Sequence, residues 1–450
     1  MPDTQQGKSL LKVRRNGKLN MNQGEAAFKL TGAERLHAVP SASMPKQLIM
    51  ERVSSDIRVS LHEDMLEIET DWRRFERCAD CTVFQSFSWL STWQCHVGQR
   101  KGTRPVVVIG RDDRGEIVFL LPLAVERHRL LRTLTWLGSD NNDYNAPLLA
   151  PHLLQLMSRE NFLALWRDII QRIQSDRRSC FDLIEFVRMP AAVGQQQNPF
   201  LYLPVNPHPD HAYQTHLAGD WESYYASKRS PATRRRERTK RNRLSAIGAL
   251  QFITPTGFDE VAQSVDKLIS QKTLSFARMG ARNIFERPGW SAFYRALASD
   301  PGARDFVHVS RLDVGSTAGA INLGLIFQGT YYHLLASHAD GEMARFSPGA
   351  VHLQELMRYA IARGCTVYDF TIGDESYKRD WSETKAVLFD HVLAVRVRGA
   401  PFAPVFRLRS RIKRFIKQTP VVWNAFMRWR ARIASLRAGG QLSTQLKEKS

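Results

Sequence analysis

No apolar stretch in this 450-residue sequence is long enough to cross a bilayer as a helix. The longest, Ile117–Val125, is interrupted by Pro122. The N-terminus lacks the apolar core of a secretory signal, so a cytoplasmic protein is expected, with its five cysteines as reduced thiols. Cys78-Ala-Asp-Cys81 has C-x-x-C spacing, but zinc needs a second ligand pair, and the nearby Cys95 and His96 are adjacent and would point apart on a helix. The spacing reads instead as one helical turn with both thiols packed inside, and no metal site is expected. Acidic residues are scarce: 44 Asp and Glu face 64 Lys and Arg, a net charge of +20. Two segments nearly account for that excess. Lys228–Arg243 carries nine bases against Glu237, and Pro401–Ser450 carries twelve against Glu448. The charge therefore belongs to two surfaces and not to the body of the chain.

What is present is a repeated order of elements. Residues 1–55 are polar and basic without periodicity and read as a disordered leader, or as an overextended start, with Met21, Met44 and Met50 as alternative initiators. Beyond them, helices over Asp71–Glu76 and Ser88–Val97 precede strands at Val106–Ile109, Ile117–Val125 and Leu131–Leu137, a helical stretch Leu153–Ile173 and a strand Phe181–Val187. The second half repeats this, with helices Asp259–Arg278 and Ser291–Ala298, strands Phe306–Leu312, Ala318–Phe327 and Tyr331–Ala336, helix Pro348–Arg363 and strand Thr366–Thr371. The halves differ after their third strands. The first has a polar loop, Asp140–Asn145, which reads either as a substrate site facing the other half or as a loop bonding its own backbone. The second has Arg345-Phe-Ser-Pro-Gly-Ala350, where Ser347 suits an N-cap and Pro348 the first helical position. A strand, a Pro/Gly-bearing loop and a helix N-terminus suit a pyrophosphate, because free backbone N–H groups and the helix dipole face the loop.

The phrases RFSPGAVHLQELMRYAIARG and YDFTIGDESYKRDW, with VFQSFSWLSTWQCHVG and the basic WESYYASKRSPATRRRERTKRNRL before them, resemble the CelD/BcsL-type acetyltransferases of the GNAT superfamily, which are linked to bacterial cellulose and exopolysaccharide production. The resemblance runs from about Asp71 to His391. It implies an α/β (α+β) fold of two tandem GNAT-like domains with mixed sheets, an arrangement shared with Fem-type aminoacyltransferases. The domains would be 56–215, shaping the acceptor side, and 216–395, binding acetyl-CoA as co-substrate, followed by a basic helical tail over 396–450.

GNAT enzymes transfer acetyl directly from coenzyme A, which needs pyrophosphate donors, an N–H aimed at the thioester oxygen and a base near the attacking atom. Ser347, Pro348, Gly349 and Ala350 would supply the first, helped by Arg345, and the edge of strand Tyr331–Ala336 the second. For proton transfer the resemblance points to the phrase holding Asp369, Gly373, Asp374, Tyr377, Lys378 and Trp381, with His338 beside the preceding strand. A strand-end carboxylate would accept a proton, Tyr377 would return one to the departing thiolate, and Lys378 would hold a phosphate or sugar acid. Ser337 and Cys365 lack a visible relay for nucleophilic catalysis. The expected function is acetyl transfer to an amine or hydroxyl acceptor in envelope polysaccharide metabolism. A Fem-type enzyme using aminoacyl-tRNA, and a non-catalytic scaffold for a polysaccharide synthase, remain open.

The basic run over Lys228–Arg243 reads as a solvated helix without interleaved aromatics, so specific nucleic-acid recognition is not expected. In the tail, Val405, Leu408, Ile412, Phe415 and Ile416 form one apolar stripe and Val422, Phe426, Trp429, Ile433 and Leu436 a second. Either the stripes lie on an anionic membrane, making the protein peripheral at the inner face, or they dock on the protein itself.

Overall fold

The last strand of each half completes the sheet of the other. In the computed structural model, residues 57–128, 131–419 and 421–423 are described. The expected leader and the tail residues Phe426, Trp429, Ile433 and Leu436 lie outside them. The first half supplies β1 (Arg58–His62), β2 (Arg104–Arg111), β3 (Ile117–His128), β4 (Leu131–Trp136), β5 (Leu148–Leu149) and β6 (Leu183–Pro190). A small hairpin, β7 (Ala192–Val193) with β8 (Gln196–Gln197), and then β9 (Asn206–His216) follow. The second half supplies β10 (Leu250–Ile253), β11 (Val307–Val314), β12 (Thr317–Phe327), β13 (Thr330–His338), β14 (Val367–Ile372) and β15 (Thr384–Ala394). The sheet order is β1-β2-β3-β4-β6-β15-β9-β14-β13-β12-β11-β10. β15 thus crosses to pair with β6, and β9 crosses to pair with β14, while β9 and β15 pair with each other at the centre.

The expectation of separate sheets is corrected by this exchange: one continuous sheet runs through both halves. The strands predicted from alternation are present within a few residues, while β1, β9, β10 and β15 had no sequence reading. Helices cover the sheet in the repeated order. α1 (Glu69–Glu76) and α2 (Phe87–Trp93) sit in the first half with α3 (Arg159–Ser175), whose Ser158 cap accepts from the Asn161 amide at 3.1 Å. Their counterparts are α6 (Phe258–Arg278), α7 (Trp290–Ser299) and α8 (Pro348–Ala362). Between the halves lie α4 (Trp221–Lys228) and the basic α5 (Pro231–Ser245), which Ser230 caps at the Thr233 amide. α9 (Ser376–Trp381) follows β14, and α10 (Phe402–Gln418) begins the tail. No described helix is long and apolar enough to cross a membrane.

One hydrophobic core spans both halves. Trp89 of α2 meets Phe293 of α7 edge-on at 5.0 Å, and Phe84 meets Tyr332 of β13 at 5.8 Å. The C-x-x-C reading is corrected in part. α1 ends at Glu76, before either cysteine, so Cys81 is buried but Cys78 is exposed.

In both halves the strand before the crossover helix and the strand after it pair in parallel only briefly. β4 and β6 share two pairs, ending at Leu134 and Ile184, and β13 and β14 share three, ending at Tyr332 and Asp369. Beyond those points the strands part. In the first half the parting is filled: Trp136 lies 4.9 Å from Phe186 and 5.0 Å from Phe200, all fully or almost fully buried. In the second half His333, Phe370 and the ring of Tyr377 occupy that region, with ring separations of 6.4 Å and 6.2 Å from Tyr377.

Candidate active site

Where β14 leaves β13, it meets the loop of the first half. Asp369 is buried and accepts hydrogen bonds from the Tyr144 hydroxyl at 2.8 Å, the Gln214 amide of β9 at 2.8 Å and the Thr371 N–H at 2.7 Å. Burial raises its carboxyl to about 6, against the three donors. Those donors occupy both oxygens, so Asp369 is a clamp between halves and not an open base. Thr371 is left-handed at φ 60, in the irregularity where β14 pairs with β9. That turn lets its amide reach back to Asp369 and sets its side chain beside Asp143.

Asp143 stands next to the clamp. Burial raises its carboxyl, opposed by the Arg188 guanidinium, the Thr371 hydrogen bond and the Lys378 ammonium. Arg188 is itself left-handed at φ 57, and its guanidinium donates to the Asn142 carbonyl at 2.5 Å. Its loop is part self-bonded, as one sequence reading held, since Asn142 donates to the Leu137 carbonyl and to Asn145. Tyr144 and Asp143 nonetheless face the other half.

The segment after β14 folds back as α9. Lys378 is buried, donates to the Ile372 carbonyl at 2.6 Å and lies 3.2 Å from Glu375. Lys272 of α6 is held below the usual lysine range by burial, opposed by Glu375 and reinforced by Lys378. Asp374 accepts the Tyr213 hydroxyl at 2.9 Å, so it holds β9. Tyr377 stays part exposed, with its phenol raised by desolvation and then by Glu375. Trp381 is buried at the end of α9, where it stacks on Tyr224 and carries the Arg229 guanidinium 3.8 Å above its ring.

The helix N-terminus takes a different form from the one expected. Ser347 is left-handed at φ 56, where the helical turn Gly341–Phe346 ends, and its side chain makes no capping bond to α8. Its hydroxyl is 3.3 Å from the Lys240 ammonium of α5, which places the basic run beside the start of α8. Pro348 is buried at the first helical position and the Ala350 amide bonds the Ser347 carbonyl. A methyl group placed on Gly349 would meet only His338, at 3.8 Å. Arg345 is exposed and tied to Glu342 at 3.0 Å. His338 is exposed at the far end of β13, beside Gly349 and apart from the Asp369 cluster.

Eight of the predicted residues therefore fall into two places: Asp369, Asp374, Tyr377 and Lys378 at the clamp between the halves, and Ser347, Pro348, Gly349 and Ala350 at the opening of α8. Gln214, Arg188, Thr371 and Lys272 were not read from the sequence. Gln214 lies on β9, where Pro207 and Pro209 hide the strand pattern, although Tyr213 and Thr215 retain strand-forming character.

Residues 231–379 match the family described as acetyltransferase (GNAT) domain. Among solved structures, FemX superposes with a TM-score of 0.51 at 11% identity, covering 75% of this chain and 97% of FemX. A conserved protein from Bacteroides thetaiotaomicron VPI-5482 gives 0.49 at 12% identity, covering 75% of this chain and all of that one. A tandem GNAT protein from the clavulanic acid biosynthesis pathway gives 0.41 at 11% identity, covering 75% and 98%. No curated protein matches the sequence significantly. The GNAT domain match and the mixed α/β architecture support an acyltransferase.

Proposed function

We propose that the protein transfers an acetyl group from acetyl-CoA to a hydroxyl or amine of an envelope polysaccharide precursor, with the reaction centred between the halves. The observation that carries this reading is the parting of β13 and β14 after Tyr332 and Asp369, with the start of α8 on one side and Asp143 on the other. Its first-half equivalent is closed by the fully buried Trp136, Phe186 and Phe200, whereas the second-half region carries the part-exposed Tyr377, which supports a coenzyme site in the second half. The residues present suit the coenzyme. The start of α8 offers the Gly349 amide, whose surface is open, and the helix dipole, and Lys240 and its basic neighbours bring positive charge to it. Acetyl-CoA supplies the activated acyl group. Asp143, a half-buried carboxylate with a raised pKa, takes the proton from the attacking atom of the acceptor, and the Tyr377 phenol gives one to the departing sulfur. Asp369 holds Tyr144, and through it Asp143, in place. The CelD/BcsL-like phrases support envelope polysaccharide metabolism as the setting. The tail supports contact with an anionic membrane: Val405, Leu408, Ile412 and Phe415 are 49–63% exposed on the outer face of α10.

Single-turnover transfer from acetyl-CoA to polysaccharide-precursor sugars tests the assignment. Asp143→Asn should lower the transfer rate by about 100-fold or more, a size ordinary for a lost general base, with coenzyme affinity unchanged. Tyr377→Phe should slow the same step less. An unchanged rate in Asp143→Asn would remove Asp143 from the chemistry, and transfer from charged tRNA but not from acetyl-CoA would replace the donor.

A further inference from the structure

The helix α10 turns Ala403, Phe406 and Ser410 to the sheet and leaves a second apolar stripe, Val405, Leu408, Ile412 and Phe415, exposed. Ala403 and Phe406 pack on Leu183 and Val392, Arg407 donates to the Val392 carbonyl at 2.7 Å, and Ser410 donates to Asp390 at 3.1 Å. Lys417 pairs with Asp210 of β9. Between this helix and the exchanged strands β6, β9 and β15 lies a cavity of about 380 Å³, a size ordinary for a small-molecule site. Its walls carry six cations, Arg188, Arg407, Arg409, Arg411, Lys413 and Arg414, against two carboxylates, Glu185 and Asp390. Among the described residues Arg409, Arg411, Lys413 and Arg414 form no salt bridge. A protein does not gather like charges around a concave space without cost, since each repels the others and two carboxylates offset only part of the charge. The excess of four positive charges matches a compact polyanion.

The cavity also adjoins the proposed reaction centre. Arg188 lines it, yet its guanidinium ends on the Asn142 carbonyl, next to Asp143. The left-handed backbone of Arg188 lies where β6 and β15 shift register, and its amide is held by Asp390 at 3.1 Å. A bulge at this point turns an arginine from the wall of the cavity toward the base.

We infer that this cavity binds the diphosphate group of an acceptor substrate, with Arg409 and Lys413 as its principal free cations and Arg188 marking the direction of the reacting end. That a diphosphate binds here stands on the cavity alone; that it belongs to the acceptor rests on the acyltransferase reading. The diphosphate is either a soluble nucleotide derivative or lipid-linked, and the outward apolar face of α10 admits the second.

Calorimetry of the full chain with inorganic pyrophosphate and with UDP, in the absence of acetyl-CoA, tests the cavity against Arg409→Ala/Lys413→Ala. The variant should bind these probes at least 10-fold more weakly while its acetyl-CoA titration matches that of the native chain. A second arm uses phosphatidylcholine vesicles with and without farnesyl diphosphate. Binding to the soluble probes assigns a soluble diphosphate. Binding only to doped vesicles, lost in the variant, assigns a lipid-linked one. Either result upholds the site. Binding in neither arm, or equal binding by native and variant chains, overturns it. Failure of the native chain to bind acetyl-CoA would leave the cavity result intact and count only against the acyltransferase reading.

Discussion

The Tyr144 hydroxyl donates to Asp369 across 225 residues of chain, at 2.8 Å, and so joins the loop of one half to the sheet of the other. A buried carboxylate that loses one of its donors is left partly unsatisfied, at a cost of about 1–3 kcal/mol. Tyr144→Phe should therefore destabilise the fold by that order and lower transfer, because Asp143 loses its adjacent anchor. Asp369→Asn should cost less: its oxygen still accepts from Tyr144 and Thr371, and the Gln214 amide reorients to accept from the new N–H group. Denaturant unfolding of the two variants checks the order. Equal stability of Tyr144→Phe and the native chain would show that the bond carries no weight.

A set of buried histidines gives a pH signature. His308, His333 and His352 are each pushed down to about 3, mainly by burial. His352 lies on the buried face of α8, and His308 and His333 on the strands β11 and β13. His308 bonds Tyr331 at 2.9 Å, His333 bonds Tyr368 at 2.9 Å and His352 bonds Ser310 at 3.1 Å. All three stay neutral in the folded protein, while the unfolded chain protonates them below about pH 6.5. Stability should fall on acidification from about 6.5 toward 3, by about 1.4 kcal/mol per pH unit for each histidine. The raised carboxyls of Glu76, at about 7, and Asp369, at about 6, act in the opposite direction: they favour the folded state as pH falls through those values. The clean readout is a difference of slopes. Unfolding free energy measured from pH 6.5 to 5 should fall less steeply in His352→Gln than in the native chain. Parallel slopes would mean that His352 titrates normally in the folded state.

The repeated order of elements was legible because each strand is an apolar run and each helix keeps its spacing, as in Phe306–Leu312 and Asp259–Arg278. The exchange of β9 and β15 was not. Asn206-Pro-His-Pro-Asp carries two prolines and polar side chains, and a strand partner far along the chain leaves no local signal. The site was legible in its second half, where the family-like phrase holds Asp369 to Trp381. Its first half was visible only as a polar loop with two readings. That the loop meets the other half rests on Tyr144 reaching Asp369, a tertiary contact. Ser347 failed as a cap for a similar reason: its backbone conformation is set by the turn before it and not by its own preference.

The outer stripe of α10 gives a third prediction. Leu408 and Ile412 are 58% and 49% exposed. The native chain should float with anionic vesicles at low salt and be released at high salt, since screening weakens attraction of the basic helix. Leu408→Glu/Ile412→Glu should stay in solution under both conditions, with unfolding unchanged because neither residue is buried. Equal behaviour of native and variant chains would assign the stripe no membrane role.

The central claim is that the opening of α8 holds acetyl-CoA. Gly349 lies at that opening, where a methyl group meets only ordinary contact and a large ring fills the approach. Calorimetry with acetyl-CoA on the native chain, Gly349→Ala, Gly349→Trp and Lys240→Ala measures this directly. The account predicts that the native chain and Gly349→Ala bind alike, that Lys240→Ala binds several-fold more weakly with a smaller salt dependence, and that Gly349→Trp loses at least 10-fold in affinity while unfolding at the native temperature. No binding by the folded native chain, or native affinity in Gly349→Trp, would contradict it.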